Sequence, residues 1–220
     1  MKHFQGAIFD LDGTLLDSMG VWERIDAEFL GRRGIPVPED YIRIITPMGF
    51  RACAEYTVAR FGLPETPDQI MEEWGNMAAE EYRFRVPLKP GAKEYLLRLR
   101  EAGVRLSIAT ASDTALFLPA LERLKIRECF NAIVTVSQVP RGKGFPDIYW
   151  EAARQMQLSA QQCVVFEDIY EGVKGAKAGG FYTVAVYDFY CRDEPQKLAA
   201  AADQYLYSFE ELLQHKGLGL

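Results

Sequence analysis

The sequence contains little histidine and little cysteine. Its 220 residues include only two histidines, His3 and His215, and four cysteines that lie far apart. No CxxC pair occurs, which argues against a structural zinc site and favours reduced thiols in a cytosolic protein. With so little imidazole, we expect acid–base chemistry to depend on carboxylates, hydroxyls and lysine.

Excess positive charge and long apolar runs are also missing. The formal net charge of −6 argues against a global electrostatic hold on nucleic acid or on an anionic membrane. The longest uncharged runs, such as Cys129 to Pro140, fall short of the roughly 20 residues that cross a bilayer. The first apolar stretch stops at Asp10, so we expect no signal peptide. These absences predict a cytoplasmic protein that binds neither nucleic acid nor membrane. As a separate expectation, the protein is a monomer or weak dimer.

Short apolar runs alternate with amphipathic segments along most of the chain. Nearly continuous apolar runs are typical of strands that are buried on both faces, and helical spacing of apolar residues separates them. The runs cover residues 7–9, 106–109, 132–136, 163–166 and 182–187, and the helical patterns cover residues 92–102, 114–124 and 146–156. This alternation predicts an α/β fold with a doubly wound parallel sheet, a Rossmann-like core.

One segment lacks any convincing strand. Val21, Ile25 and Phe29 share a helix face, and Thr66 to Gln69 form a capping box with proline at the first helical position. We therefore predict an inserted, all-helical cap domain over residues 16–87, within an α/β core of residues 1–15 and 88–220. The linkers at its two ends would let it act as a movable lid.

The strongest chemical signal is Asp10-Leu11-Asp12-Gly13-Thr14, directly after the first predicted strand. Alternation along extended backbone points Asp10 and Asp12 to the same side, about 7 Å apart. Gly13 allows a tight turn and close approach of a ligand. Open α/β sheets bind ligands at the carboxyl ends of their strands, where this motif lies. The alternative interpretation is a surface Asp-Gly turn.

This motif resembles the first motif of the haloacid dehalogenase superfamily, whose members are mostly phosphatases. Residues 107–110, 143–147 and 164–168 match the second, third and fourth motifs, and their order and spacing extend the resemblance over nearly the whole chain. The helical insert resembles the small cap of the subgroup that includes β-phosphoglucomutase. Gly144 departs from the proline usual in the third motif, which loosens that loop but keeps Lys143.

The resemblance implies a role for each motif residue. Asp10 would attack phosphorus and carry an aspartyl-phosphate. Asp12 would protonate the leaving alkoxide and then activate the hydrolytic water. Thr110 would donate a hydrogen bond to a phosphoryl oxygen, and Lys143 would neutralise charge on the nucleophile and on the phosphoryl group.

The resemblance also implies a Mg²⁺ site. Asp10, Asp168 and the backbone carbonyl of Asp12 would hold the ion, and Glu167 would be a further ligand or would orient one. Two carboxylates about 4 Å apart repel by roughly 4 kcal/mol at an effective dielectric of 20, which a divalent ion would offset. Taken alone, Glu167 and Asp168 could instead cap the following helix.

Substrate contacts are assigned to two further residues. Arg51 in the cap is a candidate for a substrate anion, because a guanidinium suits phosphate or carboxylate; the alternative is a solvated charge at a helix start. Ser112 is the second candidate. It matches the serine of a Ser-Lys-Asn turn that the resemblance implies after the second motif in the mutase branch. Here Asp113 places a negative charge where a second phosphate would need a positive one.

These observations together predict a Mg²⁺-dependent phosphatase that acts on a small phosphorylated metabolite through an aspartyl-phosphate. A β-phosphoglucomutase-like phosphomutase is the first alternative. A non-catalytic binding module is a remote one, because every catalytic residue that the resemblance calls for is present.

Overall fold

A six-stranded parallel sheet organises the computed structural model, which describes residues 4–45, 48, 50–191 and 195–215. The strands are β1 (Gly6–Phe9), β2 (Arg105–Thr110), β3 (Ala132–Thr135), β4 (Cys163–Glu167), β5 (Tyr182–Val186) and β6 (Gln204–Leu206). Their order is β3-β2-β1-β4-β5-β6, and every pairing is parallel. The predicted α/β, doubly wound sheet is confirmed.

Burial on both faces explains why these segments form strands. All residues of β1 and β4 are buried, as expected for central strands of a parallel sheet covered by helices. Strand β6 was not predicted, because its three residues are only partly apolar and two of them are half-buried. An edge strand of this length gives no apolar run in the sequence.

The helices lie between the strands and in the segment that follows β1. They are α1 (Val21–Arg32), α2 (Tyr41–Ile45), α3 (Phe50–Phe61), α4 (Pro67–Phe84), α5 (Ala92–Glu101), α6 (Thr114–Arg123), α7 (Asp147–Gln155), α8 (Tyr170–Ala178), α9 (Pro195–Ala201) and α10 (Phe209–Gln214). The helical patterns of the sequence coincide with α5, α6 and α7. None of the described helices combines the length and the apolar character that a bilayer span requires.

The chain divides into two compact units. The core unit comprises Met1–Met19 and Val86–Leu220, and the helical unit comprises Gly20–Arg85. Within the core unit, the segments on either side of the insertion pair with each other. Leu16 forms an antiparallel bridge with Leu88, Asp17 N donates to Pro87 O at 3.0 Å, and Lys89 N donates to Leu15 O at 2.8 Å.

The helical unit has its own apolar core. The rings of Phe29 on α1 and Trp74 on α4 meet edge to face, with centroids 5.4 Å apart. Helix α4 begins with the predicted capping box, in which Thr66 Oγ1 accepts from Gln69 N and the Gln69 side chain accepts from Thr66 N. Helix α2 was not predicted, because five residues are too few for a periodic pattern.

Candidate active site

The ends of three neighbouring strands bring the predicted polar residues together. Strand β1 lies between β2 and β4, with Phe9 opposite Ile108 on one side and Phe166 on the other. Asp10 continues the ladder, since its N–H donates to Phe166 O at 2.9 Å. The carboxyl ends of parallel strands share one edge of the sheet, so the residues that follow these strands share one crevice.

A buried cluster of charges forms in this crevice. Lys143 Nζ donates to Asp10 Oδ1 and, at 2.6 Å, to Glu167 Oε1. The side chains of all three residues are nearly inaccessible to solvent. Burial raises the pKa of Asp10 to about 7; Lys143 opposes this rise, and Glu167 and Asp12 add to it. Burial acts to lower the pKa of Lys143, but Asp10 and Glu167 raise it above its ordinary value, so the ammonium stays charged.

Three carboxylates of the crevice could hold a metal ion. Asp10, Glu167 and Asp168 offer oxygen atoms that lie within 4.8 Å of one another. Glu167 Oε2 and Asp168 Oδ2 are buried and have no hydrogen-bond partner within the described ranges. A buried carboxylate oxygen without a partner is costly, and hard divalent cations prefer oxygen ligands. The donor set therefore fits Mg²⁺.

Burial of Asp168 strengthens this argument. Desolvation, together with the charges of Asp10 and Glu167, raises the pKa of Asp168 well above its ordinary value. Thr14 Oγ1 donates to Asp168 Oδ1 at 3.2 Å, which leaves Oδ2 as the atom without a partner. Neither acidic residue caps the following helix: the N-cap of α8 is Ile169, and no side chain caps it. The helix-capping alternative is therefore wrong.

The carboxylate of Asp12 has different partners. Ser18 Oγ donates to Asp12 Oδ1 at 2.7 Å, and Ser112 Oγ donates to Asp12 Oδ2. The structure thus places Ser112, a predicted substrate residue, against the predicted general acid. Ser18 was missed, because it follows the motif in a segment interpreted only as a linker and its contact is set by the turn at residues 13–16.

Thr110 ends β2 beside this group and is buried. Its Oγ1 accepts a hydrogen bond from Ser112 N at 3.1 Å. Because the oxygen accepts that bond, the hydroxyl hydrogen can be donated to a ligand. This arrangement is compatible with the predicted contact to a phosphoryl oxygen.

Glycines allow the charged groups to approach so closely. A Cβ at Gly13, where φ is +83°, would lie 2.3 Å from Asp168 Oδ2. A Cβ at Gly172 would lie 2.4 Å from the Glu167 carboxyl carbon, and one at Gly175 would lie 2.0 Å from the carbonyl oxygen of Lys143. Any side chain at these three positions would displace a group of the site.

Sequence reasoning also missed Tyr149. This residue on α7 is fully buried, and its hydroxyl donates to Glu167 Oε1 at 2.7 Å. The apolar periodicity of α7 indicates a buried face, but it gives no sign that a phenol on that helix reaches a carboxylate at the end of β4.

Arg51 lies at the start of α3 in the helical unit. Its Nη2 donates to Asp68 Oδ1 at 2.6 Å, and both side chains are largely exposed. The guanidinium already has an acidic partner, and an exposed pair of this kind contributes little stability. Its role toward a substrate anion stays a prediction.

Comparisons with known proteins agree with this geometry. A family model described as a haloacid dehalogenase-like hydrolase matches residues 4–180. The chain is 32% identical over 186 residues to hexitol phosphatase A of Escherichia coli K12, covering 83% of this chain and 82% of that protein. It is 27% identical over 180 residues to a phosphorylated carbohydrates phosphatase of Thermotoga maritima, covering 80% and 82%. The crystal structure of CbbY from Rhodobacter sphaeroides in complex with phosphate superposes with a TM-score of 0.70 at 27% identity, covering 95% and 96%.

Proposed function

Because this chain belongs to the haloacid dehalogenase-like hydrolase family and is a phosphoric monoester hydrolase of that family, we propose that it hydrolyses a small phosphorylated metabolite through an aspartyl-phosphate on Asp10. The observation that carries this proposal is the buried cluster of Asp10, Lys143, Glu167 and Asp168 at the strand ends. A protein that merely binds a ligand would have little reason to bury a carboxylate beside two others and a lysine.

The first step is attack by Asp10 on phosphorus. Lys143 donates to one carboxylate oxygen of Asp10, which leaves the other to form the new O–P bond. The bond between phosphorus and the alkoxide oxygen breaks, and Asp12 gives that oxygen its proton. Lys143 and the hydroxyl of Thr110 stabilise the charge on the phosphoryl oxygens.

The second step is hydrolysis of the aspartyl-phosphate. Asp12, now deprotonated, takes a proton from water, and the resulting hydroxide attacks phosphorus. The O–P bond to Asp10 breaks, which restores the carboxylate and releases inorganic phosphate. The hydroxyls of Ser18 and Ser112 fix the orientation of the Asp12 carboxylate, so the same group is in place for both proton transfers.

Mg²⁺ is part of the proposal. Asp10, Asp168 and the backbone carbonyl of Asp12 are the proposed ligands, with Glu167 as a further ligand or as an orienting group. When bound, the ion would neutralise carboxylates and phosphoryl oxygens in this crevice. The two buried carboxylate oxygens without partners support this assignment.

The substrate class is proposed from the relatives. Their names specify phosphatases of hexitols and of phosphorylated carbohydrates, so a phosphorylated carbohydrate or polyol is the first class to test. Arg51 and Ser112 are the candidate substrate contacts. Cytoplasmic location and a monomer or weak dimer complete the proposal.

Phosphate release from a panel of phosphorylated metabolites tests this function. The purified protein should release inorganic phosphate from at least one hexitol or sugar phosphate and from p-nitrophenyl phosphate. Excess EDTA should abolish the release, and added Mg²⁺ should restore it, whereas Ca²⁺ should support it poorly because it prefers longer bonds and more ligands. No release from any member of the panel would contradict the activity, and full release in EDTA would contradict the metal.

The phosphomutase alternative is disfavoured by one residue. Asp113 Oδ1 accepts from Ala115 N at 2.8 Å and thereby caps α6, so a negative charge stands after β2. A second phosphate near this turn would be repelled. Phosphorus NMR separates the two activities: equilibration of sugar 1-phosphate with 6-phosphate, with little inorganic phosphate, would favour the mutase.

A further inference from the structure

Tyr149 is a fully buried phenol that the proposed mechanism leaves without a role. It lies on α7, its ring packs edge to face against Phe181 at a centroid distance of 6.2 Å, and its hydroxyl donates to Glu167 Oε1 at 2.7 Å. The phenol is therefore a hydrogen-bond donor to this carboxylate.

Glu167 receives two donors on the same oxygen. Its Oε1 accepts from the Tyr149 hydroxyl and, at 2.6 Å, from Lys143 Nζ, whereas its Oε2 has no partner in the described part of the chain. Gly172 borders the carboxylate on another side, where a Cβ would lie 2.4 Å from its carboxyl carbon. The carboxylate therefore cannot turn without losing both donors or meeting the backbone of α8.

Lys143 is shared between two carboxylates. Its ammonium donates to Glu167 Oε1 and to Asp10 Oδ1, so its position depends on how strongly each carboxylate attracts it. A hydrogen bond from Tyr149 takes up part of the acceptor capacity of Glu167 Oε1. Without this bond, Glu167 would attract Lys143 more strongly and would also be free to turn.

We propose that Tyr149 is a positioning residue that acts through Glu167 to hold Lys143 against the nucleophile Asp10. The proposal rests on the proposed function, since it gives Tyr149 a part in that same reaction. Tyr149 touches neither substrate nor the reacting atoms in this scheme. Its effect should therefore fall on turnover rather than on substrate binding.

The first test is Tyr149→Phe, which removes one oxygen and keeps the ring. We expect kcat for p-nitrophenyl phosphate to fall about tenfold with KM unchanged within twofold. The reason is that a displaced Lys143 ammonium would stabilise the transition state less, with little effect on binding of the substrate. The matched control is Tyr95→Phe. Tyr95 is equally buried in the core unit, but its ring packs on Phe166 and Phe209, and we expect its kcat to stay within twofold of wild type. An equal loss in both variants would overturn the proposal.

A double-mutant cycle tests whether Tyr149 acts through Glu167. In a Glu167→Gln background, Tyr149→Phe should change kcat by less than twofold, because the acceptor whose position it sets has lost its charge. A tenfold loss in both backgrounds would show independent action and would contradict the assignment. The urea midpoints of Tyr149→Phe and Tyr95→Phe should agree, which separates positioning from a general loss of stability.

An NMR measurement tests the position of Lys143 without requiring enzyme turnover. The ¹⁵N–¹H signal of the Lys143 ammonium, assigned by its loss in Lys143→Arg, should shift in Tyr149→Phe and stay in place in Tyr95→Phe. An unchanged signal in Tyr149→Phe would overturn the proposal. If wild-type protein released no phosphate from any ester, the proposed function would fail, while this signal would still report whether Tyr149 positions Lys143.

Discussion

The two units of this chain bury carboxylates in different ways. Asp10 in the core unit and Asp26 on α1 of the helical unit are both nearly inaccessible, and burial raises the pKa of each to about 7. Asp10 faces the ammonium of Lys143, whereas no ion pair among the described residues includes Asp26, and the charge that acts on it is that of Glu23. Burial raises the pKa of a carboxyl group in both units, but only in the core unit does the carboxylate lie beside a buried ammonium and further buried carboxylates.

Glycines show the same contrast. A Cβ at Gly172 in α8 would collide with Glu167, whereas a Cβ at Gly31 in α1 or at Gly75 in α4 would meet no atom within 4 Å. At Gly172 the space is thus limited by a carboxylate of the candidate site, whereas the two helical-unit glycines have open space around them.

The largest effect should come from replacing the two buried carboxylates by amides. Asp10→Asn keeps the shape but cannot form the aspartyl-phosphate, so kcat should fall by at least ~10³-fold. Asp26→Asn should leave kcat within twofold of wild type. Steady-state phosphate release measures both, and circular dichroism checks that both variants fold. Near wild-type turnover by Asp10→Asn would remove the contrast between the units.

The next largest effect should come from adding a methyl group at the two kinds of glycine. Gly172→Ala pushes the Glu167 carboxylate away from Lys143, and displacement by about 1 Å can cost on the order of 10²-fold in kcat. Gly75→Ala has open space and should not change kcat. Kinetics with p-nitrophenyl phosphate measure both; an unaffected Gly172→Ala would mean that the site tolerates movement of Glu167.

The next effect is on stability and its dependence on pH, and we expect no effect on turnover. The pKa of Asp26 is about 7 in the folded state and near 3.8 in the unfolded state. Between these values the folded state holds a proton that the unfolded state has released, so the contribution of Asp26 to stability falls as pH rises and is lowest above pH 7. One pKa unit is worth about 1.4 kcal/mol and the two states differ by about three units, so Asp26→Asn should raise the free energy of unfolding by up to roughly 4 kcal/mol at pH 8.

Urea unfolding at pH 4 and pH 8 measures this difference. The gain of Asp26→Asn over wild type should be small at pH 4, where the aspartate is largely protonated in the folded state and half protonated in the unfolded state. A gain of equal size at both pH values would show that the effect does not arise from titration of Asp26.

The smallest expected effect is the stability of Gly75→Ala. Alanine in a helix interior is favoured over glycine by roughly 0.5 to 1 kcal/mol, and nothing lies near the added methyl group. We expect a gain of that size in the free energy of unfolding, measured by urea denaturation. A loss of stability would mean that this helix surface is more closely packed than the space around Gly75 indicates.

Most of the fold was predictable because parallel strands buried on both faces appear as continuous apolar runs. Asp10, Lys143 and Asp168 could be placed in one crevice because each motif follows a strand end or its loop. Tyr149 and Ser18 could not be placed, since their contacts depend on how α7 packs and on how the turn after β1 closes. Asp113 was interpreted through its charge, whereas its main structural task is local, to cap α6. Strand β6 and helix α2 are too short to show a period.

The pairing of Leu16 with Leu88, and of Asp17 with Pro87, has a consequence for how this architecture diversifies. The two core segments that flank the insertion are adjacent and hydrogen-bonded to each other, so the inserted chain begins and ends at nearly the same point. The entropic cost of closing such a loop grows by only about 0.6 kcal/mol for each doubling of its length. An inserted segment of quite different length can therefore replace the present one while the sheet keeps its register. The insertion point is thus a position at which substrate specificity can change without a change in the core.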